Sequence, residues 1–214
     1  MGCAGKGTAT GRRHGHRGDG AELDELAAAA GMPIPRTVSP ESGEEAAALA
    51  SEIPYPCLLK PYVGYGTGSH LGGKKNIVVA DAATLRSEFD RLAAAGVPCL
   101  VQEIVPGGDD ALYGYLGFWG SDGNELAWIT KQKLRQNPAR YGDGTYQRTV
   151  DVPRVAEVAR QFLDALGYVG VGSVEFKHDA RNDSYRLMEL NPRAVSGNQL
   201  AVAAGVDLPY ISYA

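Results

Sequence analysis

Cysteine is scarce in this chain: 214 residues carry only Cys3, Cys57 and Cys99, odd in number and widely spaced. That excludes a disulfide-stapled scaffold and a zinc site built on paired cysteines, and a reducing, cytoplasmic setting is expected. No apolar run approaches the roughly 20 residues of a membrane-spanning helix, so no membrane partner is expected. Basic charge is not in excess, with 21 Lys and Arg against 25 Asp and Glu, and nucleic acid is not an expected partner. The first twenty residues lack large apolar side chains almost entirely. This Gly/Arg/His-rich stretch cannot offset the entropy of ordering, and a disordered tail is expected over residues 1–20. Its Gly5-Lys6-Gly7-Thr8 lacks the upstream glycine and preceding strand of a phosphate-binding loop. Met1-Gly2-Cys3 has Lys6 where a myristoylation signal needs Ser or Thr.

From residue 21 on, the composition is that of an ordinary globular chain, and the pattern predicts an α+β protein of two lobes, residues 21–105 and 106–214. In the first, helices are expected over 21–30 and 41–53 and a strand over 55–62. A glycine-rich loop (Gly64, Gly66, Gly68, Gly72, Gly73) leads to a strand over 76–80. Asp81 as N-cap and Gly96 beyond the end bracket a helix, and a strand follows over 98–105. In the second, long antiparallel strands are expected over 111–119 and 125–136, then a short strand over 146–150. Pro153 starts an amphipathic helix, a strand hairpin follows, and short helices close the chain.

The hairpin is the most informative stretch. Ser173-Val174-Glu175-Phe176 and Met188-Glu189-Leu190-Asn191-Pro192-Arg193 alternate apolar and polar residues across a turn at residues 181–184. Glu189 and Asn191 share a face, and counting outward from Asn182 sets Glu175 opposite Glu189, within a residue of register. Opposed carboxylates repel, and a hard divalent cation with oxygen ligands, Mg²⁺ above all, is the natural compensation. Arg193 beside it would meet a phosphate or carboxylate. A solvated hairpin with chance alignment is the competing reading.

Other residues point the same way with less force. Lys60 ends an apolar strand just before the glycine loop, where Gly66 and Gly68 free the backbone to approach phosphates. The stretch Val101-Gln102-Glu103-Ile104-Val105-Pro106-Gly107 crosses between lobes and could offer backbone groups to an adenine edge, with Asp109 and Asp110 placed for ribose hydroxyls. Lys131, Lys133 and Arg135 alternate along one strand face and suit an anion between them; ordinary surface charge is the alternative.

In this order the pieces resemble the ATP-grasp superfamily, and most closely its carbamoyl-phosphate-synthase-like carboxylate–amine ligases, including D-aspartate ligase relatives. The resemblance spans about residues 21–213. It implies that Lys60 and the loop with Gly66 and Gly68 contact ATP phosphates, that Glu103 and Val105 bracket the adenine through backbone, and that Asp110 holds the ribose. Glu175, Glu189 and Asn191 would ligate Mg²⁺ or Mn²⁺. Arg193, Lys133 and Arg135 would meet the acyl phosphate or carboxylate. The implied partners are ATP, a carboxylate and an amine, and a homo-oligomer is compatible. The family usually carries a further α/β domain upstream, so a fragment of a longer protein is expected. Tyr146-Gln147-Arg148-Thr149-Val150 also departs from the acidic residue usual before Thr-Val. Two alternatives stand beside the ligase: a non-catalytic Mg-nucleotide-binding module lacking its substrate domain, and a carboxylase acting through carboxyphosphate.

Overall fold

A computed structural model describes residues 19–49, 52–62 and 68–214. Gly64 and Gly66 of the glycine loop, and residues 1–18 of the expected tail, lie outside the described residues. Asp19 and Gly20, assigned to that tail from composition, instead open a helix, α1 (Asp19–Ala29).

A four-stranded sheet has the order β1-β4-β2-β3. Its strands are β1 (Thr37–Val38), β2 (Cys57–Pro61), β3 (Ile77–Val79) and β4 (Cys99–Glu103), all paired antiparallel. Alternation along β2 and β4 sends Cys57, Leu59, Cys99 and Val101 to one face. There they join Leu85, Phe89 and Leu92 of α3 (Ala82–Ala94) and Ala46 of α2 (Gly43–Leu49) in one core. The helix α3 starts where expected, because Asp81 accepts from the backbone N–H of Thr84 at 2.8 Å. It stops at Gly96, whose φ of +70° suits a residue without a β-carbon. Between α1 and α2 lies the short strand β1, which the sequence reading did not include.

A five-stranded antiparallel sheet has the order β7-β6-β5-β8-β9. These are β5 (Leu112–Trp119), β6 (Glu125–Asn137), β7 (Asp143–Thr149), β8 (Gly170–Asp179) and β9 (Ser184–Asn191). One face is covered by α4 (Pro153–Ala165), whose Val155, Val158, Ala159, Phe162 and Leu163 pack with Tyr115, Trp119, Val174, Phe176 and Leu187. Ala27 of α1 joins this core. On the other face, α5 (Asn198–Ala203) and α6 (Leu208–Tyr213) cover only one end, packing Ala201 and Leu208 on Leu116 and Ile129. The rows of residues beyond Leu116 on that face are left to the polar side chains described next.

Candidate functional site

Strand register assembles the site. Gly114 of β5 pairs with Lys131 of β6 on one side and Glu175 of β8 on the other. Glu175 in turn pairs with Glu189 of β9. Lys131, Gly114, Glu175 and Glu189 therefore form one row across four strands. The next row toward α5 holds Leu116, Ser173 and Asn191, and the row on the open side holds Lys133, Leu112 and Lys177.

The expected opposition of Glu175 and Glu189 is present, by a route that simple alternation did not foresee. Near the turn, Phe176 pairs with Leu187 and Lys177 with Arg186, and the register shifts between Glu175 and Phe176. Met188 is the extra residue of this β-bulge. Leu187 consequently faces the α4 core, while Glu189 and Asn191 face the polar side.

Electrostatics on this face are tightly arranged. Lys133 Nζ lies 2.6 Å from Glu175 Oε2, their side chains only 10% and 14% exposed. Lys131 is buried outright, and burial lowers its pKa, with Lys133 acting in the same direction and Glu175 and Glu189 opposing. Asn191 is buried and Glu189 exposed. Two carboxylates in register with a buried carboxamide two residues on form an oxygen-only donor set that fits a hard divalent cation. The carboxamide matters, since no group of three or more His, Cys, Asp or Glu suited to a metal occurs among the described residues.

The other expected residues are more dispersed. Arg193 is exposed, and its Nη1 donates to the carbonyl of Ala194 at 3.1 Å. Arg135 is also exposed, and β6 is irregular on both sides of it, so it does not extend the Lys131–Lys133 face as simple alternation had implied. Lys60 shares a face of the first sheet with Leu58, Leu100 and Gln102. Its ammonium lowers the pKa of Asp24 on α1, against the larger upward effect of burial. Gly68 accepts the backbone N–H of Gly73 at 2.7 Å, closing the end of its loop.

Glu103 is buried, and its carboxylate accepts the backbone N–H of Arg36 at 3.1 Å. Among the described residues, the backbone of Ile104 and Val105 enters no turn or loop hydrogen bond. Asp110 is exposed in the short turn Asp109–Ala111, whose carbonyl at Asp110 accepts from Gln132 Nε2 at 2.6 Å.

Two contributors escaped sequence reasoning. Lys177 Nζ donates to the carbonyls of Gly107 and Gly108 at 2.9 and 2.6 Å, tying the crossover loop to the strand that carries Glu175. Its spacing of two from Glu175 was the available signal. Asp179 is fully buried, with Arg181 at 2.7 Å and Arg186 at 3.4 Å. Arg181 also reaches Glu103 at 3.6 Å, and Arg186 donates to the carbonyl of Ile34 at 3.3 Å. The hairpin tip is thereby fastened to the end of β4.

A cavity of about 610 Å³ opens between residues 70–78, α3 and Pro138–Tyr141. Its lining includes none of the hairpin acids.

Residues 120–214 match the model of a family described as ATP-grasp in the biosynthetic pathway with Ter operon. The chain is 25% identical to the carbamoyl phosphate synthase large chain of Pyrococcus furiosus, over 90% of this chain and 20% of that protein. It is 26% identical to the D-aspartate ligase of Enterococcus faecium, over 75% of this chain and 40% of the ligase. The chain thus spans well under half the length of these relatives. Among solved structures, biotin carboxylase from Campylobacter jejuni in complex with β,γ-ATP superposes with a TM-score of 0.73, at 21% identity, over 90% of this chain and 44% of that one. The biotin carboxylase domain of Hydrogenobacter thermophilus 2-oxoglutarate carboxylase, with MgADP and bicarbonate, gives 0.69 at 21% identity, over 90% and 43%.

Proposed function

We propose that this chain, which has the ATP-grasp fold, binds Mg-ATP between its two sheets and couples ATP cleavage to joining a carboxylate and an amine. The observation that carries this reading is the row of Lys131, Glu175 and Glu189, with Asn191 and Lys133 beside it. The lobes divide near residue 105, and the crossover after Glu103 offers the backbone groups of Ile104 and Val105 to the adenine edge. Asp110 holds the ribose. Lys60 and the loop that includes Gly66 and Gly68 meet the phosphates.

Glu175, Glu189 and Asn191 would hold the Mg²⁺ or Mn²⁺, which when bound neutralises charge on the phosphate oxygens. Lys133 and Arg193 steady the anionic groups. The substrate carboxylate oxygen attacks the γ-phosphorus, forming an O–P bond as the bond to ADP breaks. The amine nitrogen then attacks the acyl carbon of that acyl phosphate, and phosphate leaves. No protein nucleophile is required.

The experiment is a thermal-shift titration of the 214-residue chain with ATP, with and without Mg²⁺. A ligand at a hundredfold excess over its dissociation constant stabilises the native state by about 2.7 kcal/mol. A Mg-dependent rise supports the reading, and no rise from a folded sample rejects it. A second reading, a carboxylase acting through carboxyphosphate, draws on the likeness to biotin carboxylase folds. ATP hydrolysis that depends on bicarbonate, without need of an amine, would select it.

A further inference from the structure

Lys131 is a cation that the reaction above leaves without a task. It is 2% exposed, and a buried ammonium is among the costlier groups a fold can carry. Lys133 spends its charge on Glu175. Lys131 Nζ, by contrast, donates no hydrogen bond to a described residue.

Two glycines set its path. A β-carbon at Gly114 would lie 2.6 Å from Lys131 Cε, and one at Gly197 would lie 2.8 Å from its Nζ. The side chain therefore lies flat across β5, and its ammonium ends against the loop that follows the acid hairpin. Two buried polar groups near this end lack hydrogen-bond partners, the Ser173 hydroxyl and Asn198 Nδ2. Ser173 sits beside Leu116 and opposite Asn191, on the face that carries Glu175. Asn198 adjoins Gly197, and its Oδ1 accepts the backbone N–H of Val195 at 2.9 Å. That bond orients the carboxamide and leaves its N–H groups unmatched. All three groups can donate a hydrogen bond.

We propose that Lys131 Nζ, Ser173 Oγ and Asn198 Nδ2 form a buried oxyanion subsite at the closed end of the acid face, taking a carboxylate or phosphoryl oxygen of the substrate. The subsite rests on the nucleotide-binding reading above and deepens it. Its physical purpose follows from charge. A substrate carboxylate brought beside Glu175 and Glu189 would be repelled by both. Lys131 and Lys133 offset the two acids. A fixed cation at the floor also draws the reacting anion past the acids. Three donors on one anionic oxygen would fix its position, since hydrogen bonds to a charged group are the strong ones.

The test is isothermal titration of the 214-residue chain, saturated with MgADP, using inorganic phosphate and acetate as probes. Lys131→Met keeps the length of the side chain and removes its charge. It should weaken binding of at least one probe by about tenfold or more, the range of a lost charge-assisted hydrogen bond, while MgADP affinity changes far less. Ser173→Ala should weaken the same probe by a smaller factor. If Lys131→Met fails to fold, Ser173→Ala decides the matter alone. Loss confined to acetate identifies the substrate carboxylate as occupant, and loss confined to phosphate identifies the transferred phosphoryl group. Unchanged binding of both probes in the variants, or no binding of either by a wild-type chain that does bind MgADP, overturns the subsite alone. A wild-type chain that binds no MgADP overturns the nucleotide reading and the subsite with it.

Discussion

Lys133 Nζ stands 2.6 Å from Glu175 Oε2, although the two residues lie on strands separated by β5 and occupy neighbouring rows. Lys133 pairs with Leu112 and Glu175 with Gly114, so the ion pair runs diagonally over the central strand. It sets a positive charge beside the opposed carboxylates of Glu175 and Glu189.

Lys133→Met should therefore destabilise the fold. The change leaves a half-buried carboxylate opposite another, and a loss of about 2–3 kcal/mol is expected, the low side for a broken buried pair because both side chains keep some contact with water. Urea unfolding of Lys133→Met, Glu175→Gln and the double variant checks this. The double variant should recover much of the loss, and strict additivity would contradict the coupling.

Glu189→Gln should act differently. Glu189 is exposed, so its neutral isostere should unfold at nearly the wild-type temperature. The Mg-dependent part of the ATP-induced thermal shift should vanish. A folded variant that retains that Mg-dependent increment would remove Glu189 from the cation site.

Asp179 predicts a pH dependence. Hydrogen bonding from Arg181 holds its pKa down to about 2, against the opposing effect of burial. A carboxyl whose folded pKa is depressed adds stability above its unfolded pKa, and that stability drains away as pH falls through the folded value. The stability gap between wild type and Asp179→Asn should be full at neutral pH, shrink from about pH 4 downward, and lose its ionic part only below about pH 2. Urea midpoints measured across that range provide the check, and a constant gap would count against the assignment.

Gly114→Ala should damage the face from beneath. The added β-carbon would stand 2.6 Å from Lys131 Cε, forcing the buried lysine off its path. A cost of about 1–3 kcal/mol is typical of such overpacking. The same variant should lose phosphate or acetate binding in the presence of MgADP, measured by calorimetry alongside denaturant unfolding.

Much of the fold was legible locally. The cap at Asp81, the stop at Gly96, Pro153 at the start of α4 and the alternation of the hairpin strands each express a short-range rule. Other features were not. Counting from Asn182 reached the correct partner for Glu175, but only because the bulge at Met188 makes up a one-residue offset in the pairs nearer the turn. Arg135 was placed with Lys131 and Lys133 by alternation, which irregularities in β6 interrupt. Asp179 carries no local signal of its burial, because Arg181 and Arg186 fold back over it.

By itself, the sequence determined the kinds of chemistry available: facing carboxylates with a neighbouring carboxamide, lysines on one strand face, and a glycine-rich loop after Lys60. These follow from side-chain alternation and turn propensity, which span a few residues. Only the tertiary structure decided which of those groups meet. The order β7-β6-β5-β8-β9 sets β5 between the lysine strand and the acid strands, and the missing side chain at Gly114 lets Lys131 lie across it. Long-range strand pairing and close packing fix such encounters, and no local pattern encodes them.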